Sequence, residues 1–429
     1  MKQLFNCVAI LLCSSTVMAG EWTFSDCVDY AREHNISLLK SRLTEQTADA
    51  NLLESKGQWQ PSLDFATTHG FVNTPWGNDP KNAYNSSYGL NAGWTVWNGG
   101  QRENTIKQNK LQIEIARLNS GAVMRTLETD LLQVYLNILY AGESIGIYEE
   151  ASRLSEAQAA RAERLMESGK LSRVDYAQLK SQAEQDKYAL VNAQGTYRNR
   201  LMELKQILEL GIDAEVAPAP VNWDSTAVMA PLPPIAESYD LALQTDLQIR
   251  GLQAQASSSE LDETIARAGR MPNLRLNAGV GTGYNAPGDA FGTSMKRGLN
   301  ESVGLTLSVP ILDNRKTKAA IARAKVAQLD ASLDIEKRRT ELAQIVENWY
   351  VDTEAARSRY VAAESQLEAA RLADELANEK FAVGYVNPIE LLTAHNSLTE
   401  AQHTLLQAKF MAMLGQKMIE FYRTATVNI

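Results

Sequence analysis

Four segments of the chain alternate between apolar residues and polar or glycine residues with a period of two. One face of the second segment carries Tyr88, Leu90 and Trp94, and its other face carries Ser87 and Asn91. An apolar face opposite a polar or glycine face over about ten residues is typical of transmembrane β-strands. A soluble sheet with one buried face gives the same alternation, and the pattern alone leaves both interpretations open. The four predicted strands lie at about 62–72, 84–97, 273–284 and 302–312.

The segments between the predicted strands have the composition of helices. Residues 100–167 and 313–381 contain no proline and are rich in Ala, Gln, Glu, Leu and Arg, which favour helix. At a rise of about 1.5 Å per residue, each helix would be roughly 100 Å long. Four shorter helices, each about half that length, are predicted at 22–57, 172–210, 235–268 and 388–421. Two shorter helices placed end to end match one long helix, so the pattern predicts a rod of paired helices.

The chain repeats itself. Gly169 and Asp175 recur as Gly384 and Glu390, 215 residues later in both cases. The segment 97–99 recurs at 312–314 with the same offset, and 58–61 recurs at 269–272 with an offset of 211. A proline-rich stretch separates the copies, and proline at this density cannot continue a helix. We therefore predict a tandem duplication, with repeat 1 at 20–210, a linker at 211–234 and repeat 2 at 235–425.

The amino terminus has the features of an export signal. Lys2 precedes an apolar stretch, and small residues around Ala19 form a cleavage site. We predict a signal peptide at residues 1–19. Lipidation at Cys13 is an alternative that fits less well, because a bulky leucine directly precedes this cysteine. After cleavage Cys27 is the one remaining cysteine, and it cannot form an internal disulfide.

Composition and charge narrow the functional classes. The chain has 42 Lys and Arg against 51 Asp and Glu, a net charge of −9, and no basic block, which argues against a nucleic-acid partner. Four histidines and three cysteines leave little material for a metal site. His395 and His403 are eight residues apart rather than four, which disfavours a metal site on one helix face. Without a nucleophile elbow, a phosphate loop or a ligand cluster, we predict no enzyme activity, no metal and no cofactor.

A single chain cannot complete the predicted membrane sheet. Four strands do not close a barrel, which needs about eight, and an open edge is not tolerated in lipid. Other copies of the chain must therefore complete the sheet. The two predicted hairpin turns, Asn73–Ala83 and Asn285–Glu301, place all strand-to-helix connections on one side. The helices would then extend from one end of the barrel, and an oligomer of them would form a tube.

These features resemble the TolC-type outer-membrane factor family over Trp22 to Phe421. The resemblance is carried by the two helical-hairpin turns and the two strand-to-helix junctions, at 164–175, 381–392, 97–100 and 310–314. It implies an α+β membrane protein, a homotrimer whose transmembrane β-barrel has 12 strands, four from each chain. A long periplasmic α-helical barrel, built from the tandem structural repeat, would continue this β-barrel.

The resemblance also implies a function. The protein would be an outer-membrane channel, the passive exit duct of a tripartite efflux pump or a type I secretion system, gated at its periplasmic tip. Its partners would be a periplasmic adaptor, an inner-membrane transporter and outer-membrane lipid. The alternative is a periplasmic adaptor of such a pump, which also has long helical hairpins. Four amphipathic strands, without a compact lipoyl-like domain, count against the adaptor.

Asp175 and Glu390 are the candidate pore-gate residues, because family members constrict near the hairpin turns that precede them. Three copies would present six carboxylates, and carboxylate rings attract cations. The alternative is that acids near a helix N-terminus only interact with the helix dipole. A basic residue, a second acid and an aromatic hydroxyl of the family pattern are replaced here by Val386, Thr393 and Phe381. The turns themselves are predicted to contact the adaptor through Gly169, Lys170, Leu171, Ser172, Gly384, Tyr385, Val386 and Asn387.

Overall fold

A computed structural model describes residues 21–73, 75–76, 82–221, 225–285 and 290–427. The predicted signal peptide, including Cys13, lies outside these ranges, as do parts of both predicted hairpin turns. The strands are β1 (Glu21–Trp22), β2 (Ser62–Asn73), β3 (Asn82–Trp97), β4 (Ala217–Pro218), β5 (Asn273–Asn285) and β6 (Asn300–Ser308). The helices are α1 (Phe24–His34), α2 (Ile36–Gly57), α3 (Gln101–Glu167), α4 (Arg173–Ile207), α5 (Ser225–Val228), α6 (Ile235–Thr245), α7 (Leu247–Ala268), α8 (Phe291–Arg297), α9 (Lys316–Ala382) and α10 (Pro388–Thr424).

The helices predicted at 22–57 and 235–268 differ from the sequence prediction, because each is two helices rather than one. Asn35 separates α1 from α2, and Asp246 separates α6 from α7. The Asn35 side chain donates to the carbonyl of Ile207 at 3.0 Å and accepts from the amide of Leu38 at 3.2 Å. A side chain that serves the backbone in this way replaces the helical hydrogen bonds at the break. The predicted second hairpin turn contains α8, and the predicted linker contains β4 and α5.

The four longer strands form one antiparallel sheet in the order β2-β3-β5-β6. Leu90 of β3 pairs with Phe65 of β2 and with Val280 of β5, and Leu276 of β5 pairs with Leu305 of β6. Directly paired residues share a face, so the apolar residues of all four strands lie on one face. Phe65 is 67% exposed and Leu305 is 63% exposed. The sheet therefore presents a continuous apolar face that the described part of the chain does not cover.

The chain divides into two compact units, and each unit takes residues from both sequence repeats. Unit 1 consists of Met1–Leu39, Ala122–Asp246 and Thr340–Ile429, as far as these are described. Unit 2 consists of Lys40–Gly121 and Leu247–Arg339 and contains the four-stranded sheet. Among the described helices, none combines the length and the apolar character that crossing a bilayer requires.

The largest apolar core belongs to unit 1. Leu131, Leu132 and Tyr135 of α3 are almost completely buried there with Leu204 of α4 and Cys27 of α1. Burial raises the pKa of the Cys27 thiol to about 12, and the thiol is unpaired. The Tyr135 hydroxyl lies 3.0 Å from the Trp22 carbonyl and 2.9 Å from the Ala219 carbonyl, which holds it against the short β1–β4 pair.

Candidate functional site

The first helical-hairpin tip connects α3 to α4 through a turn that glycine permits. Gly169 has φ +74°, a left-handed conformation that other residues adopt at a cost. The amides of Gly169 and Lys170 donate to the carbonyls of Met166 and Leu165 at 2.9 and 2.8 Å. These bonds satisfy carbonyls at the end of α3, as helix-terminating glycines commonly do.

Asp175 is engaged at the start of α4. The Ser172 hydroxyl accepts from the Asp175 amide at 3.1 Å and lies 2.8 Å from the Asp175 Oδ2, to which it can donate. The residue is half-buried. Its carboxylate is therefore held by the capping serine at the N-terminus of α4, where the sequence analysis considered an interaction with the helix dipole as the alternative to a gate.

The second tip connects α9 to α10 in the same way, but the carboxylate of its acidic residue, Glu390, has different surroundings. Gly384 has φ +80°, and the Tyr385 amide donates to the Lys380 carbonyl at 2.9 Å. The Asn387 side chain caps α10 by accepting from the Glu390 amide at 3.0 Å. The Glu390 carboxylate is exposed and makes no hydrogen bond or ion pair with the described residues. The two candidate gate residues therefore differ, because the Asp175 carboxylate accepts from Ser172 and the Glu390 carboxylate has no such partner among the described residues.

The two turns are exposed, as a docking surface requires. Tyr385 is 85% exposed, and the flanking apolar residues Val383 and Ile389 are 69% and 57% exposed. The residues predicted to contact the adaptor are exposed except for Leu171 and Val386, which are half-buried.

An apolar layer lies beneath the tips. It is formed by one buried residue from each of the four helices α3, α4, α9 and α10, namely Ala162, Leu179, Ala377 and Leu391. Leu391 is fully buried, and Leu171 and Phe381 pack against the layer. The layer joins the two hairpins within unit 1 and fixes the position of the turns relative to each other.

A polar layer that the sequence analysis did not identify adjoins the apolar layer. Gln158 of α3 donates to Asn378 of α9 at 3.1 Å, and Gln182 of α4 donates to Asn396 of α10 at 3.0 Å. The sequence signal that could have revealed this layer is a pair of polar residues at helical spacing within an apolar stripe, such as Gln182 and Asp186. Hydrogen-bonded polar residues in a helix bundle favour one register of the helices over others.

His395 is at the centre of this polar layer. It is 2% exposed, and its two ring nitrogens lie 3.9 Å from Asp186 and 3.8 Å from Asp374, on different helices. These distances exceed hydrogen-bond length, and both nitrogens lack a hydrogen-bond partner among the described residues. His403, by contrast, packs against Tyr148 with the ring planes tilted by 38°, and burial lowers the pKa of this histidine. The described residues contain no group of three side chains placed to hold a metal ion.

Comparison with known proteins identifies the family. The sequence profile described as outer membrane efflux protein matches residues 27–209 and 238–411. The outer membrane efflux protein BepC of Brucella suis is 22% identical over 409 residues, covering 94% of this chain and 86% of BepC. The protein CyaE of Bordetella pertussis is 23% identical, covering 90% of this chain and 80% of CyaE.

Solved structures show the same fold. A structure of CusC superposes with a TM-score of 0.80 at 18% identity and covers 94% of this chain and 92% of that chain. The TolC-like fold and the outer-membrane location predicted from the sequence are confirmed, and the matches favour an exit channel of an efflux or secretion system over an adaptor. The family is one of channel proteins, not enzymes. The profile covers most of both repeats, and the chain belongs to the outer membrane efflux protein family.

Proposed function

We propose that three copies of this chain assemble into a passive duct whose 12-stranded barrel crosses the outer membrane. The observation that carries this proposal is the sheet, which has four strands, two unpaired edges among the described residues and one exposed apolar face. An open sheet edge is not tolerated in lipid, so β6 of one copy must pair with β2 of the next. Three copies give 12 strands (3 × 4), between small filled barrels and 16-stranded porins, which leaves room for an open lumen.

The helical tips are the proposed docking surface for a periplasmic adaptor, which would connect the duct to an inner-membrane transporter. Their exposed apolar residues and their four-helix support favour this role. A photo-crosslinker at Tyr385 should capture the adaptor in cells. The matched control is Ile212, which is 96% exposed in the stretch after α4 and should not capture it. Equal capture at both positions would count against a tip-specific contact.

Glu390 is the proposed pore-gate carboxylate, with Asp175 in a secondary role. Three copies would bring three Glu390 carboxylates together at the narrow end, where like charges are poorly screened and cations are attracted. The ranking is supported by the free carboxylate of Glu390 and by the hydrogen bond that the Asp175 carboxylate accepts from Ser172. The hydrogen-bonded latch of the family pattern is not proposed, because Val386, Thr393 and Phe381 occupy its positions.

Single-channel recording in planar bilayers tests the channel and its gate together. The wild-type protein should run as a detergent-dependent trimer and conduct with cation preference. Glu390→Gln should reduce that preference and weaken block by divalent cations, and Asp175→Asn should act in the same direction but less. A monomer that is extracted without detergent would contradict the duct. Unchanged selectivity in the double variant would contradict the carboxylate gate alone.

A further inference from the structure

The two strand-to-helix junctions share one backbone conformation. Gly99 and Gly100 have φ +69° and +82°, and Asn314 and Arg315, 215 residues later, have φ +52° and +66°. In the first junction the Asn98 side chain accepts from the Arg102 amide at 3.2 Å. In the second, the Asp313 side chain accepts from the Thr317 amide at 2.8 Å, so the same turn is capped in the same way.

The first junction is filled by a buried arginine. Arg102 is 2% exposed, and its guanidinium lies 3.4 Å from the centre of the Trp59 ring. It donates to the carbonyls of Gln58 at 3.1 Å, Thr95 at 2.7 Å and Val96 at 3.3 Å. Charge-assisted hydrogen bonds and ring stacking together make a closed plug between the end of α2 and the start of α3.

The second junction lacks both parts of this plug. By the repeat offsets, Thr317 takes the place of Arg102, and Arg270 takes the place of Trp59. A cavity of about 790 Å³ is present there, and Ile311, the counterpart of Val96, lines it. The three basic residues on its wall are Arg270, Arg315 and Lys318, and all three are exposed.

The cavity has an excess of positive charge. Among the described residues no carboxylate lies within ion-pair distance of the three basic side chains, and the one electrostatic interaction that they make with an acid is that of Arg270 with Asp313. Hydrogen bonds from Thr317, chiefly, hold the pKa of Asp313 below its usual range, so this wall residue is anionic at neutral pH. Three cations and one anion leave a net charge of +2. Arg315 is also held in a left-handed conformation where the first repeat has Gly100, an unfavourable place for a long side chain.

Exposed apolar residues adjoin the basic wall. Ile311 and Leu312 are 92% and 87% exposed. They lie three and four residues after the end of β6, whose Leu305 and Leu307 lie on the apolar face of the sheet. In this family the helices leave the barrel on the periplasmic side, so the junction lies at the periplasmic surface of the outer membrane. Apolar and basic side chains together suit a membrane interface, where acyl chains meet phosphate groups.

We propose that this cavity binds the phosphate headgroup of an anionic phospholipid, with Arg270, Arg315 and Lys318 on the phosphate and Ile311 and Leu312 against the acyl chains. The inference rests on the proposed function in one respect, that the sheet lies in the membrane. A neighbouring copy is the other conceivable occupant. The segment that leads into its β2, residues 58–62, would approach this junction but carries no carboxylate to match three cations, and the nearest acid along the chain, Asp64, lies within β2.

Native mass spectrometry of the detergent-purified trimer, titrated with phosphatidylglycerol, tests the proposal. We expect one tightly bound phosphatidylglycerol per chain and much weaker retention of zwitterionic phosphatidylcholine. Arg315→Gly and Lys318→Gln should each weaken phosphatidylglycerol binding about five-fold. Arg315→Gly is compatible with the left-handed backbone, so its effect cannot come from misfolding. The matched control is Arg323→Gln on α9, an exposed charge that does not line the cavity.

A second variant transplants the plug of the first junction into the second. Arg270→Trp combined with Thr317→Arg should fill the cavity and abolish selective phosphatidylglycerol binding, with the trimer mass retained. Equal binding in wild type, Arg315→Gly and Lys318→Gln would overturn the proposal, as would an equal loss in Arg323→Gln. Variants that dissociate the trimer without changing lipid retention would overturn it in favour of a second copy as occupant. Failure of the wild-type protein to insert into liposomes would instead contradict the membrane duct itself.

Discussion

The two repeats share a backbone plan and differ in the chemistry placed on it. At the strand-to-helix junction, repeat 1 buries Arg102 in a closed plug, whereas repeat 2 has Thr317 and an open basic cavity. At the hairpin tip, the Asp175 carboxylate is held by a capping serine, whereas the Glu390 carboxylate is free. In both places the side chain of repeat 1 makes contacts within the chain, whereas repeat 2 leaves the equivalent site open.

The difference shows which features a duplicated fold must keep. Positive φ occurs at equivalent positions in both junctions and both tips, so both repeats keep the backbone conformation of these connections. The side chains around the turns are not under that constraint. Once one repeat has closed its junction, the other can expose polar groups for ions, lipid or partners without loss of the turn.

The largest effect is expected where the repeats agree, on the apolar face of the sheet. Leu90 and Leu305 occupy equivalent positions, and replacing either by Arg should hinder insertion by about 2–4 kcal/mol, because the charge would face lipid. Ser87→Arg on the opposite face is the control and should insert normally. Insertion into liposomes, followed by the heat-dependent gel mobility of the barrel, measures the effect. If arginine is tolerated equally at all three positions, the assignment of the lipid-facing and the opposite face of the sheet is wrong.

The next-largest effect is a difference in stability between variants of the two strand-to-helix junctions. Arg102→Met should lower the free energy of unfolding by about 2–3 kcal/mol, because three backbone carbonyls lose their hydrogen-bond donor and the Trp59 ring loses its stacking partner. Thr317→Val, at the equivalent position, should cost less than about 1 kcal/mol. Thermal unfolding in detergent, followed by tryptophan fluorescence, compares them. Similar losses in both variants would mean that the two junctions are equally closed.

Two substitutions at positions with positive φ should change the free energy of unfolding by smaller amounts and in opposite directions. Gly100→Ala should destabilise by about 1 kcal/mol, because alanine is strained at positive φ. Arg315→Gly should stabilise by about 0.5–1 kcal/mol, since relief of strain exceeds the backbone entropy that glycine loses on folding. Calorimetric melting temperatures would record both. A loss of stability in Arg315→Gly would show that the arginine side chain contributes more than its backbone costs.

The smallest effect is a difference in stability between variants of the two helical-hairpin tips. Asp175→Asn should destabilise by about 0.5–1 kcal/mol, because the asparagine weakens the interaction with Ser172 and the helix dipole. Glu390→Gln should change stability by less than about 0.5 kcal/mol. Ser172→Ala is the control and should reproduce the loss seen in Asp175→Asn. Circular dichroism melts of the three variants are sufficient, and a larger loss in Glu390→Gln would indicate a structural role for that acid.

Periodicity predicted the elements of the fold well, because it reports local geometry. The alternating segments correspond to β2, β3, β5 and β6, and the long proline-free segments correspond to α3 and α9. The break at Asn35 was missed because its cause is tertiary, a hydrogen bond to Ile207, 172 residues away. β6 also ends at Ser308, earlier than predicted, since Pro310 has no amide to donate to a neighbouring strand.

The candidate site was only partly accessible from the sequence. The repeat placed Asp175 and Glu390 at corresponding positions after the two tips, and their role in a gate stays a prediction. Ser172 and Asp175 have the spacing of a helix cap, but Asn387 and Glu390 have the same spacing, so the sequence pattern does not separate the roles of the two acids. Nothing in the local sequence indicates that His395 lies between Asp186 and Asp374, because three helices meet there.

Helix α3 is continuous, yet its residues belong to unit 2 up to Gly121 and to unit 1 from Ala122. The sheet likewise pairs Asn85 with Asn285, 200 residues further along the chain. Neither unit can therefore be completed while only the first repeat has been synthesised and exported. Such non-local pairing makes folding slow and leaves strand edges exposed in the meantime. A released first repeat would present β2 and β3 without their partner strands, and it should aggregate rather than fold.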